Sequence, residues 1–554
     1  KTRERLSTVS YNFVYCNKIR YSTILDIFMP YTKLACYAST CPCNAYNALV
    51  QRVLFQRSVY FGIGAGENNI DAFRFDKLCA KVLNKIIIKN GKTKLKLDDD
   101  DFYTEHVCKG KLRDMNRAAL ARLREDPLNF KRWIRLYCFP KCDRINMCDK
   151  FNGIDQVPDI RAIQAILREG NLLYARVIRP LENIAYKHLS SLKILPAPFL
   201  HKGNPMIFGK GLNSWETADM VKTCFNSIPD CVVYMIDASR ADAHLRRNLH
   251  EFKFDWIASM FDQDGKLFIR EIQKRYMKFR GSTMSGIKYS LDEPMLPSGS
   301  MDTALGNNFC FYYLHCAFRM VLNNKRCNRE FNAITSIDIP HVRLRSFDYV
   351  VLINGDDSIP MMSTGTSIVF EKYFVDFCKM FGIDMRIDGR TTTLEHIEWC
   401  QQRPICISPG LYRMVRNPSK VITGFNTQYK LQQYTTANRY KYLSAIGYCE
   451  YALNGGVPML QHISTQFKNY HSSPQTYIEQ LYGTGSYYRY KIEIEGSMNT
   501  LHEINSVTRE SFELAFGFTL QQQLEFEKLS FQYNLDDRHF QSIIRTHARP
   551  ACYY

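Results

Sequence analysis

The sequence predicts an α+β protein, and three stretches carry that prediction. Val350–Ile353 is a short apolar run rich in β-branched side chains, the pattern of a buried strand, and it runs into Asn354-Gly355, the strongest short-range signal for a tight turn between strands. Cys231-Val-Val-Tyr-Met-Ile236 is a second apolar run of the same kind. From Ser300 to about Leu322 the chain reads as one long helix rich in Phe, Tyr, Cys and Ala.

Each element carries polar groups of a particular kind. The turn after Ile353 presents Asp356 and Asp357 side by side at a hairpin tip. Adjacent carboxylates repel unless a cation neutralises them, and Mg²⁺ is the natural one because it takes hard oxygen ligands. Gly-Asp-Asp alone is also an ordinary solvated turn. The second strand ends at Asp237, followed by Asp242 and His244. Asp237 suits a ligand site at the strand's C-terminal end, and equally the cap of a following helix. On neighbouring strands, Asp237 and Asp356 could hold two Mg²⁺ ions about 3.5–4 Å apart, the arrangement used for in-line phosphoryl displacement. Ser298-Gly299 make a flexible turn before the long helix. Thr303 and Asn307, four residues apart, share one face of that helix, where they need hydrogen-bond partners if buried; a nucleotide ribose or the backbone would serve.

Taken in order, Asp237-x4-Asp242, Ser298-Gly-x3-Thr303-x3-Asn307 and Gly355-Asp-Asp357 resemble palm motifs A, B and C of viral RNA-dependent RNA polymerases. The closest resemblance is to the tombusvirus and carmovirus group and to tombus-like or noda-like viruses of invertebrates. Ile397-Glu-Trp-Cys-Gln-Gln-Arg-Pro404 is similar to the group's Ile-Glu-Phe-Cys-Gln motif E, with Trp399, Cys400 and Gln401 at the primer grip. Lys210-Gly-Leu212 and Glu216-Thr217 resemble its approach to motif A. The likeness runs from about Tyr174 to Pro404. It departs from the group at Ala241, where an aromatic is usual, at Trp399 in place of Phe, and in the finger motif F. The group reads Arg-Val-Ile-Gln-Pro-Arg; here Arg176-Val-Ile-Arg179-Pro is followed by Lys187, which leaves open which of Arg179 and Lys187 meets which phosphate.

The resemblance implies an α+β right-hand polymerase (fingers, palm and thumb) with an antiparallel palm sheet packed on helices. It assigns 1–204 to an N-terminal extension, fingertips and fingers, 205–255 to palm, 256–285 to a fingers insertion, 286–410 to palm and 411–554 to thumb. Phosphoryl transfer needs positioning and charge neutralisation more than covalent chemistry. Asp237 and Asp356 are then the main metal ligands, with Asp357 beside them and Mn²⁺ a substitute for Mg²⁺. Arg176, with Arg179 or Lys187, neutralises the incoming triphosphate. Asp242 with Asn307, helped by Ser298-Gly299 or Thr303, recognises the ribose 2′-OH that separates RNA from DNA precursors. Arg386 is a poor general acid because guanidinium hardly deprotonates, so the motif D acid is not assigned. Implied partners are a single-stranded RNA template, nascent RNA and nucleoside triphosphates, with other replicase proteins and host membranes at replication sites in the host cytoplasm. Tyr487, Tyr488 or Tyr490, in a Gly-interrupted aromatic segment, would stack under a first nucleotide in primer-free initiation, or pack in the thumb.

Composition agrees. With 73 Lys and Arg against 54 Asp and Glu, the formal net charge of +19 suits a polyanion partner, and equally a membrane surface. No stretch reaches the roughly 18 apolar residues of a membrane span, and no N-terminal signal peptide is visible. The chain begins at Lys1, as a fragment, a processed product or the downstream part of a readthrough or frameshift protein would. Nineteen Cys without an even framework indicate a reducing compartment and mostly free thiols. Cys36-x4-Cys41-x-Cys43 and Cys138-x3-Cys142-x5-Cys148 lack the paired spacing of structural zinc. Gly62–Gly66 reads as a plain turn or a fingertip loop, and Asp98–Asp101 as a solvated run. Two rival readings remain: a reverse transcriptase, against which Asp242 with Asn307 argues, and a non-catalytic RNA-binding replicase subunit, against which the intact Asp237, Asp356 and Asp357 argue.

Overall fold

The computed structural model describes residues 2–4, 6–10, 23–25, 29–32, 35–37, 42–49, 52–53, 55–57, 94–108, 110–127, 129–146, 161–189, 206–245, 247–283, 286–291, 294–335, 337–344, 348–428, 431, 434–472, 478 and 503–536. Their architecture is α+β. A five-stranded sheet at the centre runs in the order Met385–Thr391, Cys231–Ala238, Asp357–Ser363, Tyr349–Asn354 and Met206–Phe208. The first four strands pair antiparallel; the short Met206–Phe208 joins the edge in parallel.

Burial explains why these runs are strands. Val350 to Ile353 are fully buried, as near-continuous apolar strands covered on both faces must be. On one face lies the helix Ser214–Asn226, packing Ala218, Val221 and Cys224 toward Val233, Leu352 and Met361. That helix starts on a capping box: Asn213 accepts from the backbone N–H groups of Trp215 and Glu216, and the Glu216 carboxylate accepts from the Asn213 N–H. On the other face lie the helices Thr303–Asn323 and Thr364–Met380, interlocked through Phe318, Phe370, Phe374 and Phe377.

The long helix begins at Thr303, three residues later than the pattern indicates, because Ser300 to Asp302 form its entry turn. Buried charge ties that turn down. The Lys253 ammonium donates to Asp302 at 2.5 Å, with the two side chains 1% and 0% exposed. Tyr174 and Ser300 also donate to this carboxylate, at 3.1 and 2.6 Å. A buried carboxylate needs such a full complement of donors. The network joins the helices Arg168–Leu189 and Arg247–Met260 to the entry turn.

A second five-stranded sheet runs Leu6–Ser10, Lys288–Leu291, Phe279–Thr283, Leu136–Pro140, Ala162–Ile166. The expected division at 285/286 therefore falls inside the hairpin formed by Phe279–Thr283 and Lys288–Leu291. Likewise the division at 410/411 cuts the hairpin Gln402–Ser408 to Leu411–Arg416. Apolar periodicity marks strands but not which distant strand each one joins. The C-terminal helices Thr436–Asn454, Leu460–Lys468 and Ser506–Phe516 share a separate core with Ile405, Ile407 and Val415. Among the described residues no helix is long and apolar enough to cross a membrane. The Gly62–Gly66 segment and Tyr487, Tyr488 and Tyr490 lie outside the described residues.

Candidate active site

The hairpin tip differs by one residue from the Asn-Gly turn read in the sequence. Asn354 pairs with Asp357, so the two-residue loop is Gly355-Asp356. Gly355 sits at φ 74°, the positive angle that the first loop position of a type II′ turn demands. Asp356 therefore stands at the tip, and Asp357 is the first residue of the returning strand.

That strand pairs with the Asp237 strand, with Ile236 opposite Ser358, which brings Asp237 alongside the tip. All three aspartates line one cleft of about 920 Å³, together with Ser298, Thr303, Asn307, Asp388 and Trp399 to Gln401. The carboxyls shift as crowded anions should. Burial first, and then repulsion from Asp356, holds Asp237 above its ordinary value, against the pull of Arg386. Burial, followed by the charges of Asp356 and Asp237, pushes Asp357 up to about 7. A cation placed among these groups would relieve both effects.

Arg386 lies directly across the ladder from Asp237 and pairs with it at 2.9 Å. Among the described residues no three His, Cys, Asp or Glu side chains converge as the ligands of a preformed cage would. Mg²⁺ does not require one, since it is usually held by one or two carboxylates plus substrate phosphates and keeps several waters. The donor set of hard carboxylate oxygens fits that ion.

The Ser298-Gly299 turn is zipped to the strand Ala162–Ile166. Gly299 N–H donates to the Gln164 carbonyl at 2.9 Å, and Ser298 Oγ accepts from the Gln164 N–H at 3.0 Å. A Cβ on Gly299 would stand 2.7 Å from the Ala165 Cα, so the close approach requires glycine. Thr303 Oγ1 donates to the carbonyls of Pro297 and Ser300. Asn307 Oδ1 is buried at the cleft without a hydrogen-bond partner among the described residues, an acceptor left for something else to satisfy. Asp242 lies in the short helix Ala241–His244, and its side chain is outside the described residues.

Trp399 is buried over Gly209, where a Cβ would come within 2.1 Å of the indole. Its Nε1–H donates to the Asp357 carbonyl at 3.3 Å. Cys400 and Gln401 both adopt positive φ (53° and 62°) in the tight connection to the next strand. Burial, then the charge of Asp357, pushes the Cys400 thiol up to about 12.

Arg176 and Arg179, the cations expected to meet the triphosphate, make contacts within the protein. Arg176 donates to the Asp98 carbonyl at 2.8 Å and lies over the Phe268 ring. Arg179 pairs with Glu182 at 3.0 Å and covers Tyr103. Both are packing cations of the helix Arg168–Leu189 and neither lines the cleft; the Lys187 side chain on the same helix lies outside the described residues. Among the described residues the cations that line it are Arg52, Lys141, Arg161, Arg240, Arg386 and Arg403. One signal could have found Arg161. Arg161-Ala-Ile-Gln164 and Arg176-Val-Ile-Arg179 each match three of the first four positions of Arg-Val-Ile-Gln-Pro-Arg; the first keeps the Gln, and the second keeps the Val and the Pro that follows. Lys379 sits on the helix Thr364–Met380, paired with Asp376.

A family model described as viral RNA dependent RNA polymerase matches residues 332–537. The RNA-directed RNA polymerase of Tobacco necrosis virus (strain D) is 26% identical over 396 residues, covering 71% of this chain and 49% of that protein. That of Groundnut rosette virus (strain MC1) is 27% identical over 446 residues, covering 77% and 45%. That of Tobacco necrosis virus (strain A) is 26% identical over 440 residues, covering 76% and 52%. The chain spans about half the length of the curated relatives it matches.

Proposed function

We propose that this chain, similar in sequence to viral RNA-directed RNA polymerases, is a polymerase core that copies an RNA template from nucleoside triphosphates. One observation carries the reading. Two carboxylate elements far apart in the chain, Asp237 and Asp356-Asp357, meet on neighbouring strands in a cleft that Thr303 and Asn307 also line. The central sheet would be the palm, the second sheet with the helices around Lys253 the fingers, and the helices after Arg416 the thumb.

Asp237, Asp356 and Asp357 would hold divalent cations, Mg²⁺ or Mn²⁺, which when bound supply charge neutralisation at the transferring phosphate. The chain's own groups would do the rest. The Asn307 Oδ1, without a partner among the described residues, accepts from a ribose hydroxyl, with Asp242 on the short helix that follows the Asp237 strand. Ser298-Gly299, fixed to the Ala162–Ile166 strand, holds the entry turn of the Asn307 helix at a set height. Arg161 and Lys141, rather than Arg176 and Arg179, face the triphosphate. Arg386 acts as the counter-ion of Asp237 and must release it when the phosphates arrive.

Incorporation of labelled nucleotides by the purified chain on single-stranded RNA tests the reading, run with and without primer in Mg²⁺ or Mn²⁺. Product that depends on template, on ribonucleotides and on Asp356 is the expected result, and Asp356→Ala should remove it. Folded protein that binds RNA yet makes no product under either condition would favour a non-catalytic replicase subunit.

A further inference from the structure

The position of the Gly355-Asp356 tip is set from outside its own hairpin. The Gly355 N–H donates to Asn308 Oδ1 at 2.5 Å, and Asn308 is fully buried on the helix Thr303–Asn323. Asn307, one residue earlier, passes within 3.9 Å of where a Gly355 Cβ would stand. On the far flank Asn354 Nδ2 donates to Cys400 Sγ at 2.9 Å, and Trp399 donates to the Asp357 carbonyl. A two-residue loop has few bonds of its own to fix the direction of its tip. An amide N–H at its first position, tied to a rigid helix, removes the remaining freedom.

We propose that Asn308 is a positioning residue for the Asp356 tip. Through the Gly355 amide it fixes the height of the carboxylates relative to Asn307, so one helical turn sets both the ribose acceptor and the metal-holding loop. The inference rests on the polymerase reading for its consequence, though not for its geometry. Leucine has nearly the shape of asparagine but accepts no hydrogen bond. Aspartate in the same place would keep an oxygen at the same reach.

The test compares Asn308→Leu, Asn308→Ala and Asn308→Asp with the unaltered chain. Amide hydrogen exchange at Gly355, read by mass spectrometry on metal-free protein, should quicken about tenfold in the Leu and Ala variants, as loss of one net hydrogen bond implies, and stay slow in Asn308→Asp. Incorporation should show a kcat about 100-fold lower in the Leu and Ala variants, the cost of roughly 1 Å of misplacement, with KM for nucleotide within about twofold. The Ala variant keeps the comparison available if leucine is not accommodated. Unchanged Gly355 exchange in the Leu and Ala variants, or Gly355 exchange in the Asp variant as fast as in the Leu variant, would overturn the proposal. If the unaltered chain incorporates nothing, the polymerase reading fails on that result, while the exchange contrast still decides the tether.

Discussion

Asp357 is a residue whose position costs the fold something. Its carboxyl titrates near 7 in the folded chain, against an ordinary value of 3.8, because burial and two neighbouring aspartates oppose its charge. The folded state therefore holds a proton that the unfolded state has released between about pH 4 and pH 7, and stability falls as pH rises through that window. Replacing the group by Asn removes the penalty. Without divalent cations, Asp357→Asn should melt higher than the unaltered chain at pH 7.5, with the difference shrinking toward pH 4. Scanning calorimetry at both pH values checks this, and a variant that melts lower at pH 7.5 would contradict it. Divalent cations should narrow the gap by relieving the same repulsion. The three aspartates were legible in the sequence because acids at strand ends and in Gly-containing turns are short-range patterns. Asn308 was not, since its partner Gly355 lies far away in the chain, and the motif fragment at Arg161 does not by itself say that other elements bring it to the cleft. A cation's neighbours are decided by packing, and residues 98–103 happen to cover the helix face of Arg176 and Arg179.

At the scale of elements, periodicity foretold the two central strands and the long helix to within a few residues. It did not foretell their edges, because turn register and helix entry depend on tertiary hydrogen bonds. The contact between Ser298-Gly299 and the Ala162–Ile166 strand is the clearest case: two elements more than a hundred residues apart meet backbone to backbone. A methyl group there would strike the Ala165 Cα and the Gln164 carbonyl, neither of which can turn aside as a side chain could. Gly299→Ala should destabilise the protein by about 1–3 kcal/mol, the usual range for forced overpacking. It should lower nucleotide incorporation further than that loss explains, since it lifts the entry turn of the helix bearing Asn307. Denaturant melts beside incorporation assays at a temperature where both proteins are folded would separate the two effects. Equal activity in the folded fraction would show that the contact serves stability alone.

The whole molecule is strongly basic, with a formal charge of +19. Among the described residues six cations line the same cleft as the acidic cluster. Binding of single-stranded RNA should therefore weaken steeply with salt, with a log–log slope of about −0.7 for each phosphate met and about −2 to −4 for three to six of them. Fluorescence anisotropy across a salt series measures it; a slope near zero would remove the cleft as an RNA path. Removing one contacting cation, as in Arg161→Gln, should flatten the slope by about 0.7.

The pairing of the Asp237 strand with the Asp357 strand also bears on how the chain comes to its shape. Ile236 and Ser358 face each other, yet more than a hundred residues of chain lie between them. The entropy of closing so long a loop must be met before the pairing returns anything, which makes such contacts slow to form. On a ribosome the Cys231–Ala238 strand emerges well before either of its sheet neighbours, Asp357–Ser363 and Met385–Thr391. Through that interval it is an apolar strand with both edges bare, open to association with other nascent chains. Synthesis that stalls between these strands should therefore leave a sticky, inactive product, and expression of the chain should gain more from slowed translation and chaperone supply than from changes to its surface.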